Sequence, residues 1–199
     1  MSFDIVTEFE NKVATFFGAP YAVATDCCTH AIELCLRYTK VKKIRCPKHT
    51  YLSVPMLANK LNIELEWVDE EWEDYYYLTN NICDAAVFWE KGGYSFTQGH
   101  FTCLSFQYQK HLSLGRGGMI LMYEKDDYRK LMRMAYDGRM RHKPWREQDV
   151  WEMGYHYYMT PEMAQLGLDK FPDAMNSKPK KWSWKDYPNL TTMEIFKGE

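Results

Sequence analysis

"YAVATDCCTHAIELCLRY", residues 21–38, changes its period halfway. Its first five residues form a short apolar run of strand length. After Asp26 come small polar residues, and then Ala31, Ile32, Cys35, Leu36 and Tyr38 share one helical face. The stretch reads as strand, tight turn and helix, with Thr29 as N-cap. A helix that starts this way presents unpaired backbone N–H groups and a hydroxyl at its positive end, which is a seat for phosphate.

The same alternation continues outward. Phe3, Val6, Phe9, Val13 and Phe16 predict a helix over 3–17 closed by Gly18. Downstream, "KKIRCP" (42–47) reads as a strand, and "YLSVPMLANKL" (51–61) as a helix with Pro55 in its first turn. Residues 63–69 alternate as a strand does, and 70–80 are ambiguous. Strands are expected at 82–89, 100–106 and 117–125, with the Gly92-Gly93 turn between the first two. Helices are expected at 126–138, stopping at Gly138, and at 160–171, where Thr160 caps and Pro161 opens the first turn. Strands alternating with helices predict an α/β, three-layer fold with a mainly parallel sheet. From Pro172 onward the pattern loses its period, so residues 1–171 are expected to form the domain and 172–199 a tail.

Composition excludes several functions. With 25 basic and 27 acidic residues the formal charge is −2, which supplies no field for nucleic acid. No apolar run reaches the roughly 18 residues of a membrane span. The N-terminus carries early acidic residues and no apolar signal core, so a cytoplasmic protein is expected. The most basic stretch, "KPKKW" (178–182), is expected to be a solvated tail. Six cysteines lack CxxC or His-rich spacing, and no metal site is expected; buried free thiols are the simpler reading.

Lys110, between an apolar strand and a glycine-rich loop, is chemically useful only if burial lowers its pKa, when it can attack a carbonyl. A lysine in such a place is usually a surface residue. Asp84 ends the apolar strand "NICDAA", where a carboxylate needs water or a cationic partner. It serves equally well as a turn cap. A pyridinium nitrogen would be one such partner.

Taken in order, five blocks resemble one family. "FENKVATFFGAPYAVATDCCTHAIELCLR" is similar to the N-terminal helix, strand and phosphate turn of the DegT/DnrJ/EryC1/StrS sugar aminotransferases, which are fold-type I pyridoxal phosphate enzymes. "CPKHTYLSVPMLANKLNIELEWVD" is similar to their following segment. "DAAVFW" resembles their Asp-Ala-Ala-Gln, "SFQYQKHLSLGRGGMI" their Ser-Phe-x-x-x-Lys with trailing glycines, and "GYHYYMTPEMAQLGLDKF" their Gly-Tyr-Asn-Tyr-Arg-Met helix start.

The resemblance implies a reduced fold-type I large domain that binds pyridoxal 5'-phosphate. Lys110 would form a Schiff base with the cofactor and shuttle the proton. Asp84 would face the ring nitrogen, Thr29 and Ser105 would bind the phosphate with backbone help from Cys28, and Tyr51 would stack on the ring. His156, in place of an asparagine, would reach a phosphate across a homodimer interface, implying shared active sites. The implied reaction moves an amino group from an amino acid, glutamate in the family, to a keto sugar linked to a nucleotide. The alternative is a relative that binds cofactor or nucleotide sugar without turnover.

Cys27-Cys28 stands for the family's Ser-Gly, Val87 for its glutamine and Tyr158 for its arginine. Only 14 residues separate Asp69 from Asp84, leaving no room there for strand–helix–strand excursions, so a smaller sheet, or one completed by a second chain, is expected.

Overall fold

Alternation along the central strands divides the apolar residues between two cores. The structure, a computed structural model, describes residues 2–97 and 101–197. Helix α1 (Asp4–Phe17) precedes β1 (Tyr21–Thr25) and α2 (Cys28–Thr39); β2 (Lys43–Pro47), α3 (Ser53–Leu61) and β3 (Glu64–Val68) follow. Strands β4 (Tyr76–Thr79), β5 (Ile82–Asp84), β6 (Phe101–Ser105) and β7 (Gly118–Met122) come next, then α4 (Lys125–Ala135) and α5 (Pro161–Asn176).

Five strands form one sheet in the order β1-β7-β6-β5-β4, and β2 pairs with β3 separately. Ala22, Ala24, Cys83, Leu104, Met119 and Leu121 pack with α1 and α5. Their strand neighbours Val23, Ile82, Cys103, Ile120 and Met122 pack with α2, α3 and α4. The period of two thus sends successive side chains to opposite cores, giving the expected three-layer α/β arrangement.

The sheet is mixed, however, and not mainly parallel. Only β5 and β6 run parallel within it, while the β1–β7, β6–β7 and β4–β5 pairs are antiparallel. A parallel return needs a crossover, usually helical. Residues 106–117 contain no helix, so β7 comes back antiparallel to β6. The ambiguous stretch 70–80 supplies β4, which turns directly into β5.

Several local expectations hold. Gly18 closes α1 with φ of 77°, and Thr160 caps α5 by accepting from the Met163 N–H. Other boundaries shift. The N-cap of α2 is Cys27, whose thiol accepts from the His30 N–H at 3.4 Å, and Thr29 lies inside the first turn. The strand expected over 82–89 stops at Asp84, because that carboxylate takes the Ala86 N–H (3.0 Å) and starts a turn. The start of the strand expected at 100–106 lies outside the described residues, which begin again at Phe101.

The end of the chain departs most from expectation. Helix α5 continues through Pro172 to Asn176, so residue 172 lies inside a helix. Residues 178–182 are not a solvated tail throughout. The Asp74 N–H donates to the Trp182 carbonyl (2.8 Å), the Trp184 N–H to Trp72 (3.1 Å) and the Leu190 N–H to Lys48 (2.8 Å). Residues 182–190 therefore form a strap along the edge made by residues 48–49 and 72–74. Burying tryptophan faces there outweighs solvating a few lysines, whose ammonium groups remain at the surface. All six cysteines are free thiols; five are buried and Cys27 is partly exposed. Among the described residues no helix is long and apolar enough to cross a membrane.

Candidate active site

The first turn of α2, the ends of β5 and β6, the loop after β6 and the strap enclose a cavity of about 340 Å³. Six of the seven residues singled out from the sequence line it: Cys28, Thr29, Tyr51, Asp84, Ser105 and Lys110.

Lys110 sits in a turn, its N–H donating to the Gln107 carbonyl at 2.8 Å. Its amine stands 5.3 Å from the centre of the Trp182 ring. Burial lowers its pKa, and the Lys180 ammonium acts in the same direction. Asp84 and Cys28 oppose them, and the net shift is downward. This is the condition under which a lysine carries chemistry near neutral pH.

Asp84 is buried, with 4% of its surface exposed. Burial raises its pKa; the hydroxyl of Tyr76, the Ala86 N–H and the Lys110 ammonium each favour the carboxylate without cancelling that effect. The Tyr76 hydroxyl donates to Asp84 Oδ2 at 2.5 Å and also meets Thr50 Oγ1. No cation forms an ion pair with Asp84 among the described residues, so the site suits an N–H from a positively charged partner.

The α2 turn is held open by one close approach. A Cβ on Gly118 would lie 2.4 Å from the Cys27 carbonyl carbon and 2.5 Å from the Cys28 nitrogen, both rigid backbone atoms. Only glycine lets β7 pass so near the start of α2. Gly118→Ala is expected to cost about 1–3 kcal/mol, as overpacking does. It should also displace the 27–28 peptide, and a urea denaturation curve checks the first effect. A variant as stable as the parent would show that the turn moves freely.

Thr29 Oγ1 and Ser53 Oγ share a hydrogen bond of 2.8 Å, and Ser105 Oγ accepts from the Gln107 N–H at 3.4 Å. The Tyr51 ring is 57% exposed at the cavity, which leaves a face free to stack. Beside the turn, Arg116 pairs with Asp26 (2.8 Å), and His30 Nδ1 lies 2.6 Å from the same carboxylate. Burial alone would lower the His30 pKa, but hydrogen bonds to Asp26 and Cys27 outweigh it and carry the pKa up to about 9. The ligating atoms of Asp26, Cys27 and His30 lie within 4.8 Å of one another. Arg116 and the positive helix end make that corner a poor place for a further cation.

His156 is the exception among the seven. Its ring is exposed, 3.2 Å from both carboxylate oxygens of Asp137, and its own chain does not bring it to the cavity.

Sequence reasoning missed Tyr76, Thr50, Arg116, Trp182, Asp186 and Tyr187, all of which line the cavity. One signal was present: Asn80-Asn81 between "YYLT" and "ICD" is a hairpin turn, and it sets Tyr76 against Asp84. The strap residues had no local signal.

Solved structures share this architecture. Sugar aminotransferase CalS13 from Micromonospora echinospora superposes with a TM-score of 0.69 at 15% identity, over 86% of this chain and 61% of that one. AtS13 from Actinomadura melliaura gives 0.73 at 19% identity, over 87% and 61%. The PLP form of Spr1654 from Streptococcus pneumoniae gives 0.66 at 18% identity, over 85% and 60%. At such identities the likeness shows the fold alone, and the chain spans about three-fifths of each of these proteins. No curated protein matches. The profile of the DegT/DnrJ/EryC1/StrS aminotransferase family covers residues 2–87 and 90–184. With the match running through the α2 turn, Asp84 and Lys110, the chain belongs to the DegT/DnrJ/EryC1/StrS aminotransferase family.

Proposed function

We propose that the chain is a pyridoxal phosphate-dependent aminotransferase that moves an amino group from an amino acid, glutamate as the donor, to a keto sugar carried on a nucleotide. The observation that carries this reading is convergence: the Lys110 amine, the buried Asp84 carboxylate and the first turn of α2 line one cavity. Their chemistry fits the cofactor. A buried carboxylate that, among the described residues, is hydrogen-bonded by the neutral Tyr76 hydroxyl and Ala86 N–H suits a charged ring N–H, and the α2 N-terminus suits a phosphate.

When bound, pyridoxal phosphate supplies an aldehyde that condenses with amines and a ring that draws electrons from the substrate carbon. The amides at Cys28 and Thr29, with the hydroxyls of Thr29 and Ser105, would hold the phosphate. The Tyr51 ring would stack on the cofactor ring. Asp84 would accept the ring N–H and keep that proton in place. Lys110 Nζ, lowered in pKa, would take a proton from the substrate carbon as a general base and deliver it as an acid to the cofactor carbon. The Trp182 and Tyr187 rings of the strap cover this side of the cavity and limit water.

The same reading makes the protein a homodimer with shared sites. The exposed position of His156 supports it: Nδ1 is held by Asp137, and the exposed edge of the ring could serve a neighbouring subunit's phosphate. So do Trp151 and Met153 on the preceding loop, 70% and 77% exposed. The six free thiols suit the reducing cytoplasm.

Mixing the protein with pyridoxal phosphate is expected to give a yellow solution. Borohydride should then fix the cofactor on the peptide containing Lys110, as read by mass spectrometry. Glutamate added before reduction should bleach the colour, with 2-oxoglutarate appearing. A relative that binds without turnover is the second reading, favoured by the apolar Val87 and the strap rings on the cavity wall. Colour without bleaching by any amino acid would decide for it. No colour at saturating cofactor would end the aminotransferase reading and leave only a relative that binds a nucleotide sugar.

A further inference from the structure

We infer that Tyr76, with Thr50 behind it, is a positioning residue that fixes the Asp84 carboxylate for its partner in the cavity; the inference rests on the cofactor reading above. The short segment 70–84 folds into the β4–β5 hairpin, and the register sets Tyr76 directly across from Asp84. The Tyr76 hydroxyl gives its single proton to Asp84 Oδ2 (2.5 Å), while Oδ1 takes the Ala86 N–H (3.0 Å). With that proton spent, the contact between Thr50 Oγ1 and the Tyr76 oxygen is donated by Thr50, which fixes the direction of the phenol proton. Thr50, Tyr76 and Asp84 are all at most 4% exposed, so water does not compete for these bonds.

Both carboxylate oxygens are thus held before any partner arrives, and each keeps a lone pair for a further N–H. Burial works against the charge on Asp84, and the Tyr76 hydrogen bond is the first of the interactions that favour it. Without the phenol hydroxyl, Oδ2 loses its donor and the carboxylate becomes a weaker partner for a ring N–H. A purely structural tyrosine would matter equally whatever the ligand's ring atom.

The experiment compares dissociation constants for pyridoxal phosphate and for its 1-deaza analogue, in which CH replaces the ring nitrogen. Tyr76→Phe, which keeps the buried ring, is expected to weaken pyridoxal phosphate about tenfold or more, the scale of one hydrogen bond to a charged group. It should leave the analogue within about twofold, because that ligand offers Asp84 no N–H. Thr50→Val should shift the same ratio in the same direction by less, and Thr50→Ser should restore it. Should Tyr76→Phe not fold, the two Thr50 variants decide alone. Equal weakening of both ligands, or no weakening of either, overturns the inference and leaves the cofactor reading standing. Parent protein that binds neither compound overturns both.

Discussion

Lys110→Met protein is expected to retain no cofactor after borohydride treatment, and amino transfer should fall by at least about a hundredfold, the low end of what a positioned proton-transfer group supplies. The fold should survive, because methionine fills a similar volume beside Trp182. Folding takes the Lys110 ammonium into a half-buried site where desolvation, aided by Lys180, lowers its pKa despite Asp84 and Cys28. Between that lowered value and the ordinary one, the unfolded chain binds more protons than the folded chain. Stability of the parent therefore rises with pH across this window, and below it the cost of burying the charge is present in full. Lys110→Met removes that slope, so urea midpoints of variant and parent should differ more near pH 7 than near pH 10, with the variant the more stable at the lower pH. Cofactor fixed on the variant would have to sit on another amine. Lys180, 3.6 Å above the same Trp182 ring, is the one to examine, and such a result would remove Lys110 from the mechanism.

Arg141→Met is expected to cost about 3–5 kcal/mol of stability, the usual result of orphaning a buried charge. The guanidinium holds Glu10 through two bonds, Nη1 to Oε2 at 2.8 Å and Nη2 to Oε1 at 2.7 Å, with both side chains 2% exposed. Glu10 also accepts the Ala24 N–H at 2.7 Å. One ion pair thereby ties α1 and β1 to the segment after α4, whose continuation carries His156. Removing the cation leaves Glu10 charged in the core with a single backbone donor. Pairing the change with Glu10→Gln should recover a good part of the loss, since no charge is then stranded. Chemical denaturation of the two single variants and the double variant measures this. A single-variant loss below about 1 kcal/mol, typical of an exposed pair, would show that water reaches the site.

The α2 turn, Asp84 and Lys110 were legible as local signals, whereas Ser105, Tyr51 and the backbone of Cys28 were pointed to only by the family resemblance. A strand followed by a small-residue turn and a helix announces an anion seat. A carboxylate ending an apolar strand and a lysine after another mark where chemistry can sit. Asp84, Lys110, Thr29, Cys28, Ser105 and Tyr51 are scattered over 83 positions, yet all line one cavity. Thr29 shows the limit of this reading. It was expected to cap α2, but the turn begins two residues earlier, so Cys27 caps and the Thr29 hydroxyl meets Ser53.

Periodicity along the chain by itself determined most of the helices and strands, though not β4 or the ends of β5 and α5, because it depends on neighbours a few residues apart. Strand direction depended on what happens between strands. With no crossover helix after β6, the chain had to return antiparallel, which made the sheet mixed. The pairing of Tyr76 with Asp84, the burial of Glu10 against Arg141 and the closing of the cavity by Trp182 and Tyr187 were decided by the tertiary structure alone. Each joins surfaces that become neighbours only after the two cores form, and the gain is burial of area and charge that no local pattern records.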